Sequence, residues 1–492
     1  MSSRKRQAPL VTFLVLGVGG ASFSLLQSLL NPVLPTIQHA LHTTQPTVAW
    51  VLIAWALSAA VATPLLGKVG DMIGKERTFV LALLAIVVGS LIAAVAPTIG
   101  VLIIGRVFQG LGGAVFPLAF GIIRDEFPAD RVPSAIGAMS AVLAVGSGLG
   151  VVLAGPIVDA WGWRWLFWIP AIVSSLTALL AWLLVPESPV RSGGRISWAG
   201  ATLLAGWLVA LLLPLSEAAE WGWASPLTIG LFVLAAILIV VWIVVEMRSS
   251  SPVIDMRMMR SPGVWTVNLV AVLFGASMFA SFAFLPQFTQ TPSSAGYGFG
   301  ATVTVAGLLM LPMLVTMGIA GFASGPLASR VSFKTQLMIA AGLIALSTAS
   351  FAFVHTEAWQ VATAAGVFGL GLGIGYAAMS SLIVQGVPAT QTGVATGMNA
   401  NIRTIGGAIG IAVMSTVVTA HPQASGLPAE SGYSTGFLVM SIIAVGALVA
   451  SIVIPSVRRR SVAVPTMTVP VISAVPVITD AIPTLEAEPA IR

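Results

Sequence analysis

Arg106 and Gln109 stand three residues apart in a run from 99 to 122 that is otherwise almost wholly apolar. On a helix that spacing puts both side chains on one face, where an amide can hydrogen-bond a guanidinium. An arginine deep in hydrocarbon costs at least about 2.5 kcal/mol on insertion scales, so Arg106 is expected to face water or a polar partner. It either packs against backbone carbonyls and Gln109 or serves as a charge that couples to a moving ligand. A second constellation runs from Gly67 through Gly70, Asp71, Gly74 and Lys75 to Arg77. Its glycines permit a tight turn and close helix approach. Asp71 is placed to cap a neighbouring helix N-terminus, and Lys75 and Arg77 can snorkel or pair across to another bundle. This is no phosphate loop, because Gly74-Lys75 lacks the upstream glycine and is followed by Glu76. Asp159, near the end of another apolar run, joins Asp71 as a candidate proton carrier. No other chemistry is offered by the runs. They hold no deep carboxylate, no Ser/Lys arrangement and no dinucleotide fingerprint, while His39, His42, His355 and His421 lie outside them. No enzymatic activity, metal or cofactor is expected.

The elements that carry these residues follow from composition. Of 492 residues 57% are hydrophobic and only 8% charged, against about 25% charged in soluble domains. Spans of about 20 apolar residues, the length that crosses a bilayer, fall near 10–31, 47–67, 78–96, 99–122, 134–158, 165–185, 198–215, 226–246, 263–287, 301–322, 335–354, 358–384, 397–419 and 434–454. With fourteen spans, all of the 22 Lys and Arg except Arg106, Arg164 and Arg403 fall on one side. Positive charge marks that side as cytoplasmic. The division expected is a cytoplasmic N-terminus (1–9), a six-helix bundle (10–185), an inserted helix pair (198–246), a second six-helix bundle (263–454) and a disordered, proline-rich cytoplasmic tail (455–492). Arg403, about six residues into its span, is expected to snorkel to the cytoplasm. The net charge of +6 is scattered singly or in threes between spans, which is topology signalling and not a nucleic-acid patch. Arg4, Lys5 and Arg6 precede a run long enough to be an uncleaved first helix. With no cysteine there is no disulfide framework.

The Gly67–Arg77 segment resembles the signature loop of the major facilitator superfamily. Arg106-Val-Phe-Gln109-Gly110-Leu-Gly-Gly113 is similar to the family's fourth-helix segment. Gly146, Gly150, Ala154 and Gly155, followed by Trp163-Arg164-Trp165-Leu-Phe167-Trp-Ile-Pro170, are similar to the antiporter motif of the fourteen-helix drug:proton branch. Gly325-Pro-Leu-Ala-Ser329-Arg330 looks like a degenerate second copy of the loop, and Arg403-Thr-Ile-Gly406-Gly407 matches as well. The resemblance covers roughly residues 10–455. It implies an all-α polytopic fold with two six-helix bundles plus a central inserted pair, working as a monomer in the cell inner (plasma) membrane. It further implies secondary active export of hydrophobic or amphipathic small molecules by alternating access and proton antiport. A dedicated exporter of an endogenous lipid, metabolite or secondary product on the same fold is the alternative. Gly146, Gly150, Ala154 and Gly155 would pack against a neighbouring helix. Gln27, Asn31, Trp55, Asn268, Met278, Phe279 and Phe282 would line the cavity. Two departures stand out: Val151 replaces the antiporter motif's proline, and Leu26 occupies the place where the first helix usually carries an aspartate.

Overall fold

The computed structural model describes residues 9–30, 33–188, 197–420, 423 and 427–455. Asn31 and the tail from 456 lie outside them. Among the described residues, fourteen helices are long and apolar enough to cross a membrane. They are α1 (Pro9–Ser28), α2 (Gln45–Ile73), α3 (Lys75–Ala94), α4 (Ile99–Glu126), α5 (Val132–Trp161), α6 (Trp165–Leu184), α7 (Trp198–Trp221) and α8 (Pro226–Arg248). The second half adds α9 (Pro262–Gln290), α10 (Val303–Leu327), α11 (Phe333–Phe353), α12 (Ala358–Gly386), α13 (Thr392–Thr419) and α14 (Glu430–Val453). In α4 the α-helical path is interrupted by a short 3-10 turn at Leu111–Ala114, where Gly112 and Gly113 are buried.

Local chemistry sets many of the ends. Thr44, Ser197, Ser225, Thr302 and Ser332 each accept a backbone N–H from the first turn of the helix that follows. Such caps satisfy donors that a helix start leaves orphaned. Gly74, Gly162 and Gly222 end α2, α5 and α7 with positive φ, a conformation that costs glycine little.

Helices α1–α6 pack mainly among themselves, as do α9–α14, giving two six-helix bundles. They meet along two seams, α2 against α13 and α5 against α10 and α12. The inserted pair lies outside this core. Helix α7 rests on α2 and α13, and α8 rests mainly on α7, with Trp207 and Trp242 tilted together at 5.6 Å. Only 17% of the α8 window is buried, and its mean hydropathy of 3.0 is the highest of the fourteen. A helix apolar on every side, with little protein around it, is placed against lipid. At the other extreme, α12 is 83% buried and forms part of the inner seam.

Candidate functional site

The Gly67–Arg77 segment is helical almost throughout. Gly67 and Gly70 belong to the last turns of α2, and the turn itself is the single residue Gly74, with φ of 127°. The expectation of a multi-residue turn is therefore corrected. The reason is the close approach of α13: a methyl group on Gly67 would stand 2.7 Å from the carbonyl oxygen of Gly393. Gly67 thus provides the close helix approach expected of it, and chain reversal is left to Gly74. At this contact the buried carboxylate of Asp71 accepts the backbone N–H groups of Gly393 and Val394, at 3.4 and 3.2 Å. Both belong to the first turn of α13, whose free N–H groups and dipole favour an anion. Lys75, also fully buried, lies 3.8 Å from Asp71 and donates to Asp125 at 2.5 Å and to the Ala389 carbonyl at 3.4 Å. Arg124 donates to Thr392 at 2.8 Å. Asp71, Lys75 and Arg124 thus all reach from the first bundle to the start of α13. Arg77 does not: it pairs with Glu187 of its own bundle at 3.1 Å.

The bundles approach most closely on this side of the molecule. Along α5 and α10, Gly325 touches Pro133 and Ser134, Gly137 touches Gly321, and Gly148 meets Leu314. Further along, a methyl group on Gly155 or Gly307 would meet nothing within 4 Å. Gly155 therefore does not pack, contrary to the sequence expectation. Gly146, Gly150 and Ala154 are spaced by four residues on one helix face; the two glycines abut Ser24 and Ser28 of α1, and Ala154 is fully buried. Gly155 is one residue off that face.

Between the bundles lies a cavity of about 220 Å³. Its first-bundle wall is aromatic: Phe23 stacks on Trp55 at 5.4 Å and meets Phe116 edge-on, and Phe120 continues the row. Its second-bundle wall is polar, with Tyr376, Asn399, Asn401 and Arg403. The guanidinium of Arg403 lies over the Tyr376 ring, 4.4 Å from its centroid. A neighbouring cavity of about 190 Å³ shares Gln27, Phe279 and Tyr376 with the first and adds Met278, Phe282 and Met310. No Asp or Glu is among the residues lining either cavity.

Of the sequence candidates, Gln27, Trp55, Met278, Phe279 and Phe282 line these cavities. Asn268 does not; it sits behind the wall and accepts a hydrogen bond from Asn399 at 2.8 Å. Arg403 does not snorkel, contrary to expectation. Helix α13 begins at Thr392 rather than 397, which moves Arg403 more than a turn deeper, and it is only 8% exposed. Asp159 is exposed near the end of α5 remote from Asp71. Arg106 lines neither cavity. It is fully buried, donating to the Val51 carbonyl at 2.9 Å and to Gln109 at 2.7 Å, and its guanidinium lies 5.3 Å from the centroid of the Trp55 ring. Gln109 in turn donates to Ser90 at 2.8 Å. The polar cavity wall was missed although Asn399 and Arg403 stand four residues apart, on one helix face, within one apolar span; that spacing is the signal that could have found it.

Two bundles enclosing an aromatic and polar chamber, held together on one side of it by a buried charged junction, define a polytopic membrane transporter. The family model for the Major Facilitator Superfamily matches residues 16–411, and the chain belongs to that family. Multidrug resistance protein 3 of Bacillus subtilis is 28% identical over 380 residues, covering 75% of this chain and 72% of that protein. The tetracenomycin C resistance and export protein of Streptomyces glaucescens is 28% identical over 430 residues, covering 85% and 78%. The methylenomycin A resistance protein of Streptomyces coelicolor is 30% identical over 389 residues, covering 78% and 80%. In three dimensions the fold is similar to the human organic anion transporter MFSD10, with a TM-score of 0.67 at 15% identity, over 90% of this chain and all of that one.

Proposed function

We propose that this protein exports hydrophobic or amphipathic compounds from the cell by alternating access, exchanging them for protons. It would work as a monomer in the plasma membrane, with both termini cytoplasmic and α8 facing lipid. The observation that carries this reading is the two-faced cavity at the bundle interface, one wall aromatic and the other polar. Such a wall pair suits molecules with an apolar body and a polar group, and three relatives named for drug or antibiotic resistance support it. Positive charge assigns the Asp71 side to the cytoplasm. The contacts of Asp71, Lys75 and Arg124 with α13 then act as a cytoplasmic latch that favours the outward-facing state. Rocking of the bundles about the cavity would break these contacts and open the inner side.

Proton exchange is assigned to Asp71, the acid that touches both bundles, with Asp159 as the second candidate. The test is collapse of a preformed pH gradient in inverted membrane vesicles on adding amphipathic compounds. Collapse that needs the protein supports antiport. Compound uptake with the gradient intact would remove protons from the mechanism while leaving export standing.

A further inference from the structure

One guanidinium group lines the first cavity and a second lies behind its wall, and among the described residues no carboxylate pairs with either. Arg403 is in the wall, with Tyr376 beneath it and no ion pair among the described residues. Arg106 lies directly behind the wall, over the Trp55 ring, its charge met only by a carbonyl, an amide and that ring. One of its nitrogens, Nη2, is buried without any hydrogen-bond partner. A buried charge is ordinarily paired, because removal from water costs several kcal/mol per ion. Two unpaired cations beside one low-dielectric chamber therefore give it a positive potential that a ligand would have to satisfy.

The neutral groups add no formal charge of either sign. Gln27, which faces both cavities, makes no side-chain hydrogen bond among the described residues, so its amide is available to a ligand as donor or acceptor. The amide nitrogens of Asn399 and Asn401 are already committed to Asn268 and to the Ala60 carbonyl. They hold the wall in place rather than repel a cation, and nothing in the lining offers a formal negative charge to attract one.

We infer that the chamber is built for anionic amphipaths, molecules whose carboxylate, phenolate or enolate pairs with Arg403 while an aromatic body lies on the Phe23–Trp55–Phe116 wall. The inference rests on the export reading and names its substrate class. An arginine–oxyanion pair of this kind is charge-assisted and directional. Losing it from a dry site corresponds to roughly a tenfold to hundredfold weaker affinity.

The experiment compares two xanthene dyes in inverted vesicles and in binding to the purified protein. One is fluorescein, an anion; the other is an esterified rhodamine, a cation on a closely similar ring system. The wild type should bind and accumulate the anion in preference to the cation. Arg403→Gln should raise the half-saturating anion concentration tenfold or more, whereas Arg403→Lys should retain much of the preference. Gln27→Glu, which adds a negative charge on the opposite bundle, should weaken the anion and admit the cation. Its readout stands even if the Arg403 variants fold poorly. Preference for the cation, or an anion affinity unchanged in Arg403→Gln, would overturn the charge assignment and leave export intact. Failure to bind or move either dye would overturn both.

Discussion

Replacing Asp71 by asparagine removes the charge that joins α2 to α13 while keeping the side chain's size. In the observed state the carboxylate accepts two N–H groups at a helix start and lies near Lys75. An amide can accept only one of those bonds and turns a donor toward the other. A hydrogen bond to a charged group contributes about 1.5–3 kcal/mol, and an anion at a partly buried helix N-terminus up to about 2 kcal/mol. Relief from burying a charge offsets part of this, and Lys75 keeps Asp125 at 2.5 Å. A net loss of about 2 kcal/mol is reasonable, and it falls only on the state in which the bundles touch here, because in the other state water solvates the carboxylate. At about 1.4 kcal/mol per tenfold, the ratio of the two states shifts by about thirtyfold. The chain contains no cysteine, so single reporters can be introduced directly. Gly307→Cys lines the second cavity on the far side, with free space around its Cβ, and Thr396→Cys lines the first cavity behind the latch. With membrane-impermeant thiol reagents, Asp71→Asn should slow labelling at 307 from outside and speed labelling at 396 from inside. The ratio of the two rates should move by about thirtyfold. An unchanged ratio at matched protein level would refute the latch.

Gly67→Ala should shift the same ratio in the same direction with the fold intact, because its methyl would meet the Gly393 carbonyl at 2.7 Å; labelling with a parallel melting curve checks it. Gly150→Leu should lower the melting temperature and membrane abundance by overpacking α1, at a typical cost of about 1–3 kcal/mol, while Gly155→Leu should leave both unchanged. Arg106→Ala removes the donor to Gln109 and the side-chain hydrogen bond to the Val51 carbonyl. It should reduce thermal stability as well as transport. Equal melting temperatures for Arg106→Ala and the wild type would show that this hydrogen-bond set is not structural.

The legible part of the molecule is what hydrophobicity and charge encode over long stretches. Fourteen spans and their order could be read directly, because the bilayer demands a near-uniform length. Less legible were helices that continue past the hydrocarbon. Helix α2 runs on through Gly67–Ile73 and α13 starts at Thr392, five residues before the apolar run. Polar residues there looked like loop, yet they are buried against the other bundle, where Asp71, Lys75 and Thr392 satisfy one another's neighbours. The same error in register hid the place of Arg403. Aromatic wall residues such as Phe23 and Phe116 could not be told from lipid-facing ones, since a single apolar side chain carries no mark of which face it occupies. Gly155 shows the converse: a motif supplied four packing positions, and helix geometry admits three on one face.

The most direct test of the carrier account is counterflow in proteoliposomes. Vesicles preloaded with an unlabelled aromatic carboxylate are diluted into a trace of the same compound in labelled form, with no pH gradient or membrane potential imposed. A site that opens alternately to the two sides predicts a transient uphill accumulation of label, and the overshoot should shrink in Asp71→Asn and in Arg403→Gln. Folded protein that gives no overshoot with this compound, or with neutral and cationic amphipaths tried in turn, would contradict alternating access at the cavity described above.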